Sequence, residues 1–168
     1  MDGVEIGTTL AADPSTLMGK RVTISAIELT NNFSKYYLKV TFKVSKVDGA
    51  VASTDFDGSE VLRDYVSRMI LRRVSRIDTI QDFVTKDGKK LRVKGLAVIG
   101  RRIKSSIQKT VRSRIKEILK SSIEGTTLET FLENMISDEI KSKVLNGLRN
   151  IYPLRFFEIR KTQIIGQG

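Results

Sequence analysis

Between Lys35 and Val47 the side chains alternate: Tyr36, Leu38, Val40, Phe42 and Val44 on one side, Tyr37, Lys39, Thr41, Lys43 and Ser45 on the other. A period of two marks a strand with one buried face. Asp48-Gly49 follows, a turn eased by glycine's access to positive φ, and Ala50–Asp57 reads as the returning strand. Upstream, residues 1–18 form a mixed lead-in with a turn at Asp13-Pro14-Ser15, and Lys20–Thr30 sets Val22, Ile24 and Ala26 against Arg21, Thr23 and Ser25, predicting a strand. A second hairpin is predicted for Val74–Thr85 and Lys90–Ile99 around Lys86-Asp87-Gly88-Lys89, and a last strand for Leu154–Ile165 beyond Tyr152-Pro153.

Helical spacing appears in four places. Gly58-Ser59 reads as the start of a helix, with Ser59 as N-cap, Val61, Leu62, Tyr65, Val66, Met69 and Ile70 inside, and Arg72-Arg73 at its end. Arg101–Lys120 carries Ile107, Val111, Ile115 and Ile118 on one arc. Thr127–Ile136, capped by Thr126 or Thr127, and Asp138–Asn150, capped by Ser137, follow. Strands, a crossing helix, more strands, three helices and a closing strand make an α+β fold. The length of 168 residues, without repeats or a linker, points to one domain over 1–168.

Charge changes this picture most at Arg101–Lys120. Arg101, Arg102, Lys104, Lys109, Arg112, Arg114, Lys116 and Lys120 face one acid, Glu117, so this segment holds +7 of the chain's net +11. On a helix, Lys109, Arg112, Lys116 and Lys120 would lie opposite the apolar arc, a row of cations about 5–6 Å apart, near the spacing of nucleic-acid phosphates. A solvated basic face is the plain alternative, and an anionic membrane surface another, poorly matched by an Ile/Val face without Trp or Phe. Arg63, Arg68, Arg72, Arg73 and Arg76 form a second basic group, in which Arg68, Arg72 and Arg76 share a face only if the helix runs that far. Lys35-Tyr36-Tyr37, Lys39 and Lys43 offer a strand surface for stacking bases, although aromatics on strands more often serve the core.

Composition narrows the chemistry. The chain has no histidine and no cysteine. That removes Ser-His-Asp and Cys-His catalysis, His-ligated metals, thiolate nucleophiles and disulfides, and suits an intracellular, cytoplasmic setting. No apolar run approaches the roughly 20 residues of a membrane span. Ser53-Thr54-Asp55-Phe56-Asp57-Gly58, with Asp64 at the twelfth position, resembles the start of a calcium loop, yet it opens on Ser, places Glu60 where an apolar residue belongs and has no entering helix. No metal and no cofactor are expected. Gly88, Gly95 and Gly100 fit neither a P-loop nor a dinucleotide fingerprint and read as turn and bulge glycines.

Several stretches together carry a family resemblance: Gly19-Lys20-Arg21-Val22, Phe56 through Asp64, Thr85 through Val93, Arg101 through Lys116, Ile151-Tyr152-Pro153-Leu154 and Ile159-Arg160-Lys161. In order and spacing, across about residues 6–162, the chain resembles the small-subunit ribosomal protein family S-three-A-e (e-S-one) of archaeal and eukaryotic type. The resemblance implies a non-enzymatic ribosomal protein with a strand-rich, barrel-like sheet of about six strands and helices packed on it. It also implies binding to small-subunit ribosomal RNA on the platform near the messenger-RNA exit, beside neighbouring ribosomal proteins. Messenger RNA is a further partner, and neither a membrane nor a small-molecule substrate is. The family usually opens with a Lys-rich tail and a Trp-Tyr segment. This sequence has no Trp and opens Met1-Asp2, so the resemblance implies a chain without that tail, and the ending Gln167-Gly168 reads as similarly curtailed.

The expected mechanism is phosphate contact through Arg101, Arg102, Lys104, Lys109, Arg112, Arg114, Lys116, Lys120, Arg72 and Arg73, which orients the protein on folded RNA. Two rivals stand beside it: a basic module docking an acidic protein, and a histidine-free phosphoryl-processing enzyme using Asp55 and Asp57 with a divalent ion.

Overall fold

The computed structural model describes residues 5–11 and 13–167; expectations that touch residues 1–4, 12 and 168 lie outside them. The chain divides into two compact units, Met1–Leu62 and Arg63–Gly168.

In the first unit, a short 3-10 turn at Pro14–Leu17 precedes strand β1 (Arg21–Ser25), helix α1 (Ala26–Thr30), and strands β2 (Leu38–Asp48) and β3 (Val51–Val61). The sheet order is β1-β2-β3, antiparallel throughout. The strand expected over Lys20–Thr30 is only half as long. At Ala26 the chain coils into one helical turn, closed by Thr30 Oγ1 donating to the Ala26 carbonyl at 2.8 Å and by Asn31 in the left-handed region at φ 51°. A second 3-10 turn, Phe33–Lys35, delays β2 to Leu38.

The helix expected from Gly58-Ser59 is not there. β3 runs on to Val61, with Gly58 opposite Thr41 and a buried Ser59 opposite Val40. Ser59 looks like an N-cap only while β2 is unseen; a long partner strand that needs pairing overrides the local signal. Helix α2 (Arg63–Met69) begins three residues later than a Ser59 N-cap would place it.

The second unit adds β4 (Ser75–Val84), β5 (Lys89–Ile99), α3 (Ser105–Ile123), α4 (Leu128–Ile136), α5 (Glu139–Leu148) and β6 (Phe156–Gln167). Its sheet order is β6-β5-β4, again antiparallel. β5 ends in an unbroken run, Leu96–Ile99, buried on both faces. On one of them Leu96 and Val98 pack with Met69, flanked by Tyr65, Val66, Ile70, Val74 and Phe156. α3 packs on β4 and α5, and α5 also contacts α4 and β6. Val111, Ile115, Leu119 and Ile123 of α3, Phe131 of α4, and Ile140, Val144 and Leu148 of α5 are buried, each contributing about 1.5–3 kcal/mol of hydrophobic stabilisation.

Among the described residues, six strands and five helices make the α+β class that the pattern predicts. The strands do not close into the barrel-like sheet that the resemblance implies. Where α3 packs on β4, Arg112 Nε donates to the Asp78 carbonyl at 3.2 Å. Ser137 ends α4 rather than capping α5; Asp138 precedes α5 in the left-handed region at φ 62°, without a side-chain cap bond.

Candidate nucleic-acid interface

Strand register decides which cations meet. Ser75 pairs with Ile99, and Val98 with Phe156, so β4 begins, β5 ends and β6 begins at one end of the sheet. The connecting segments 70–74, 100–104 and 149–155 gather there. Ile103 N–H donates to Ser75 Oγ at 3.1 Å and Arg155 N–H to the Val98 carbonyl at 2.8 Å, tying two of those segments to the strands. Together the three segments contain seven Lys/Arg, namely Arg72, Arg73, Arg101, Arg102, Lys104, Arg149 and Arg155, and no Asp or Glu. All seven are exposed. With no carboxylate among them, their potentials add and stay available to an external anion.

Two of the seven are held against rings. The Arg101 guanidinium lies 5.4 Å from the Tyr152 ring centroid, and its Nε donates to the Tyr152 hydroxyl. Arg155 lies 5.4 Å over Phe156. Arg73 adopts φ 66°, a region that side chains other than those of Gly, Asn and Asp seldom enter.

The helix expected over Arg101–Lys120 starts at Ser105, so Arg101, Arg102 and Lys104 belong to the sheet-end segments rather than to its face. Its buried stripe is Val111, Ile115, Leu119 and Ile123 instead of Ile107, Val111, Ile115 and Ile118, a rotation of about 60° at 100° per residue. The stripe follows the i, i+4 ridge that packs on its neighbours, and Leu119 and Ile123 carry it past the expected end. Lys109 and Lys116 consequently lie on a flank of the helix, and Arg112 is half-buried against β4. The outermost positions belong to Ser106, Thr110, Ser113 and Glu117. Arg114 pairs with Glu117 at 2.8 Å, and Lys120 approaches Glu124 at 4.0 Å. Among the described residues, Arg72, Arg73, Arg102, Lys104, Lys109 and Lys116 pair with no carboxylate.

The rest of the second basic group is dispersed. α2 ends at Met69, so Arg68, Arg72 and Arg76 share no helical face, and Arg76 instead grips Asp78 through two bonds at 2.8 and 2.9 Å. Lys35-Tyr36-Tyr37 precedes β2 rather than forming the expected strand surface, and of these three residues Tyr36 is exposed. Lys35 is 4% and Tyr37 6% exposed, with the Lys35 ammonium 5.9 Å over the Tyr37 ring, and Tyr36 meets Tyr37 edge-on. Lys39 and Lys43 do face outward, opposite Glu60 and Asp55 respectively. Ser53–Gly58 lies inside β3 rather than in a loop, and its Asp57 accepts Arg21 Nε at 2.8 Å. Among the described residues no group of three or more acidic side chains converges to hold a metal ion, and no helix is long and apolar enough to cross a membrane.

Arg149, Arg155 and Tyr152 escaped the sequence reading because each is isolated along the chain. The signal that could have found them is the lack of acids from Arg149 to Arg155.

The family model described as the Ribosomal S3Ae family matches residues 1–168. The chain is 42% identical over 161 residues to the small ribosomal subunit protein eS1 of Methanothermobacter thermautotrophicus, covering 96% of this chain and 83% of that protein. It is 34% identical over 168 residues to eS1 of Methanopyrus kandleri, covering 98% and 80%, and 38% identical over 161 residues to eS1 of Methanobrevibacter smithii, covering 96% and 83%. With the family matched from end to end and such identities spanning most of each partner, the chain belongs to the Ribosomal S3Ae family, structural proteins of the small ribosomal subunit rather than enzymes.

Proposed function

We propose that the protein binds small-subunit ribosomal RNA through the cationic sheet end, extended by Lys109 and Lys116 on the flank of α3, and so orients itself in the cytoplasmic small subunit. The observation that carries this reading is the set of seven exposed cations without a single acid in segments 70–74, 100–104 and 149–155. Contacts from such a surface go to phosphates, which fix position and register and carry little sequence information. The family resemblance supports a seat on the platform near the messenger-RNA exit, in contact with neighbouring ribosomal proteins and with passing messenger RNA.

If four to six cations engage, the logarithm of affinity falls against the logarithm of salt with a slope of about −3 to −5. Filter binding of small-subunit ribosomal RNA across a salt series tests this on the wild type and on the triple variant Arg72→Glu, Arg102→Glu, Lys104→Glu. The expected result is a shallower slope and an affinity at least about tenfold weaker. Unchanged slope and affinity would remove the sheet end from the interface. Ribosome association that survives nuclease treatment would favour docking on an acidic protein.

A further inference from the structure

Phosphate binding alone leaves one feature of the sheet end unexplained. A side chain serving as a point charge gains from mobility, yet the Arg101 guanidinium is held 5.4 Å from the Tyr152 ring centroid and bonded to its hydroxyl, and that of Arg155 is held 5.4 Å from the Phe156 centroid. Both rings are half-buried, so each is a fixed anchor for the guanidinium beside it. A guanidinium is planar and has two faces. Arg101 and Arg155 are exposed, so each sets a flat, weakly hydrated cation beside an aromatic ring at the surface. That surface matches the π-face of a nucleobase. Phosphates on either side of such a base would meet Arg102 and Lys104, which neighbour Arg101 in the chain and are paired with no carboxylate among the described residues.

Resting on the RNA-binding reading above, we propose that the Arg101–Tyr152 and Arg155–Phe156 pairs form a platform on which an unpaired nucleobase stacks. The sheet end therefore selects single-stranded, bulged or terminal nucleotides over continuous duplex. Bases inside a duplex are already stacked on both sides and present only edges and backbone, so they cannot reach the platform. Arg is required at these positions because an ammonium has no plane on which to stack.

The test uses the full chain and a short single-stranded RNA carrying a fluorescent adenine analogue at its centre, alone or annealed to its complement. The wild type is expected to quench the analogue and to bind the single strand about tenfold more tightly than the duplex, the effect of roughly one base stack. The double variant Arg101→Lys, Arg155→Lys keeps every charge. It should retain the salt slope and its circular dichroism while losing the quenching and the preference. Unaltered quenching and preference in that variant would overturn the platform. Equal binding of single strand and duplex with a steep salt slope would also overturn it, leaving the RNA-binding reading intact. Binding to neither RNA, with capture by an acidic polypeptide instead, would overturn both.

Discussion

The Asp87 carboxylate, at the tip of the β4–β5 hairpin, accepts the backbone N–H of Leu128 at 2.7 Å, so a turn 41 residues upstream caps helix α4. Lys86 N–H completes the junction by donating to the Thr126 carbonyl at 3.1 Å. An acid at this position satisfies an orphan amide and complements the positive end of the helix. Asp87→Ala is expected to cost about 1 kcal/mol and to lower the melting temperature by about 2–4 °C, with Asp87→Asn closer to wild type. Thermal unfolding followed by circular dichroism measures both. A melting temperature unmoved by Asp87→Ala would show that Thr127, whose Oγ1 accepts the Thr130 amide at 3.4 Å, suffices as the cap.

Gly95 sits where β5 shifts register against β6. A Cβ placed there would stand 2.7 Å from Thr79 Oγ1 and 3.3 Å from Phe157 Cε2. Both neighbours are buried, so neither can swing away freely. Gly95→Ala should therefore destabilise by about 1–3 kcal/mol through overpacking. Thr79→Ala removes the closer of the two atoms, so the double variant should recover part of that loss. Urea denaturation of the three variants gives the coupling directly, and strictly additive losses would place the strain elsewhere.

What the sequence made legible follows the range of each interaction. Leu38–Asp48 and the two Asp-Gly hairpins could be read because alternation and turn chemistry are local, and Gly49 and Gly88 do take positive φ, 61° and 72°. Ser59 misled because its fate is set by Val40, nineteen residues away in sequence and directly across the sheet. The sequence pattern starts α3 four residues early because Arg101–Lys104 continue the basic composition of the helix without its geometry, and a stop at Lys120 hides Ile123. At the interface, Arg72, Arg73, Arg101, Arg102 and Lys104 were visible as charges. Their meeting was not, because it depends on Ser75 pairing with Ile99, and composition carries no information about register.

Glu158, 7% exposed, accepts a hydrogen bond from Lys141 of α5. Burial works against the Lys141 charge, but the Glu158 hydrogen bond, the Glu158 and Asp138 charges and Tyr65 outweigh it, so Lys141 titrates above the ordinary lysine range. A raised folded-state value means that the contribution is complete below the unfolded lysine pKa of about 10.4 and is lost as pH rises through the folded value. Glu158→Gln leaves a half-buried ammonium without its carboxylate and should cost about 2–3 kcal/mol at neutral pH. Chemical denaturation of wild type and variant from neutral to alkaline pH should show that difference narrowing above about pH 10.4. A constant difference would assign the loss to packing rather than to charge.

Arg73 separates stability from function most sharply. Its φ of 66° is costly for a side chain bearing Cβ, by about 1 kcal/mol, and free for glycine. The residue is exposed, so no burial offsets that cost, and it stands among the cations of the sheet end. Local strain retained at an exposed charge points to a benefit outside the folded chain. Arg73→Gly should therefore move two measurements in opposite directions. The melting temperature rises or holds, because the strain is relieved while glycine's greater unfolded-state entropy offsets part of the gain. Affinity for small-subunit ribosomal RNA falls, and the salt slope becomes shallower by about one contact. Arg73→Lys keeps both the charge and the strained Cβ and should resemble wild type in each measurement. If Arg73→Gly destabilised the fold while binding RNA unchanged, the left-handed turn would be serving the architecture, and the interface would have to be drawn without it.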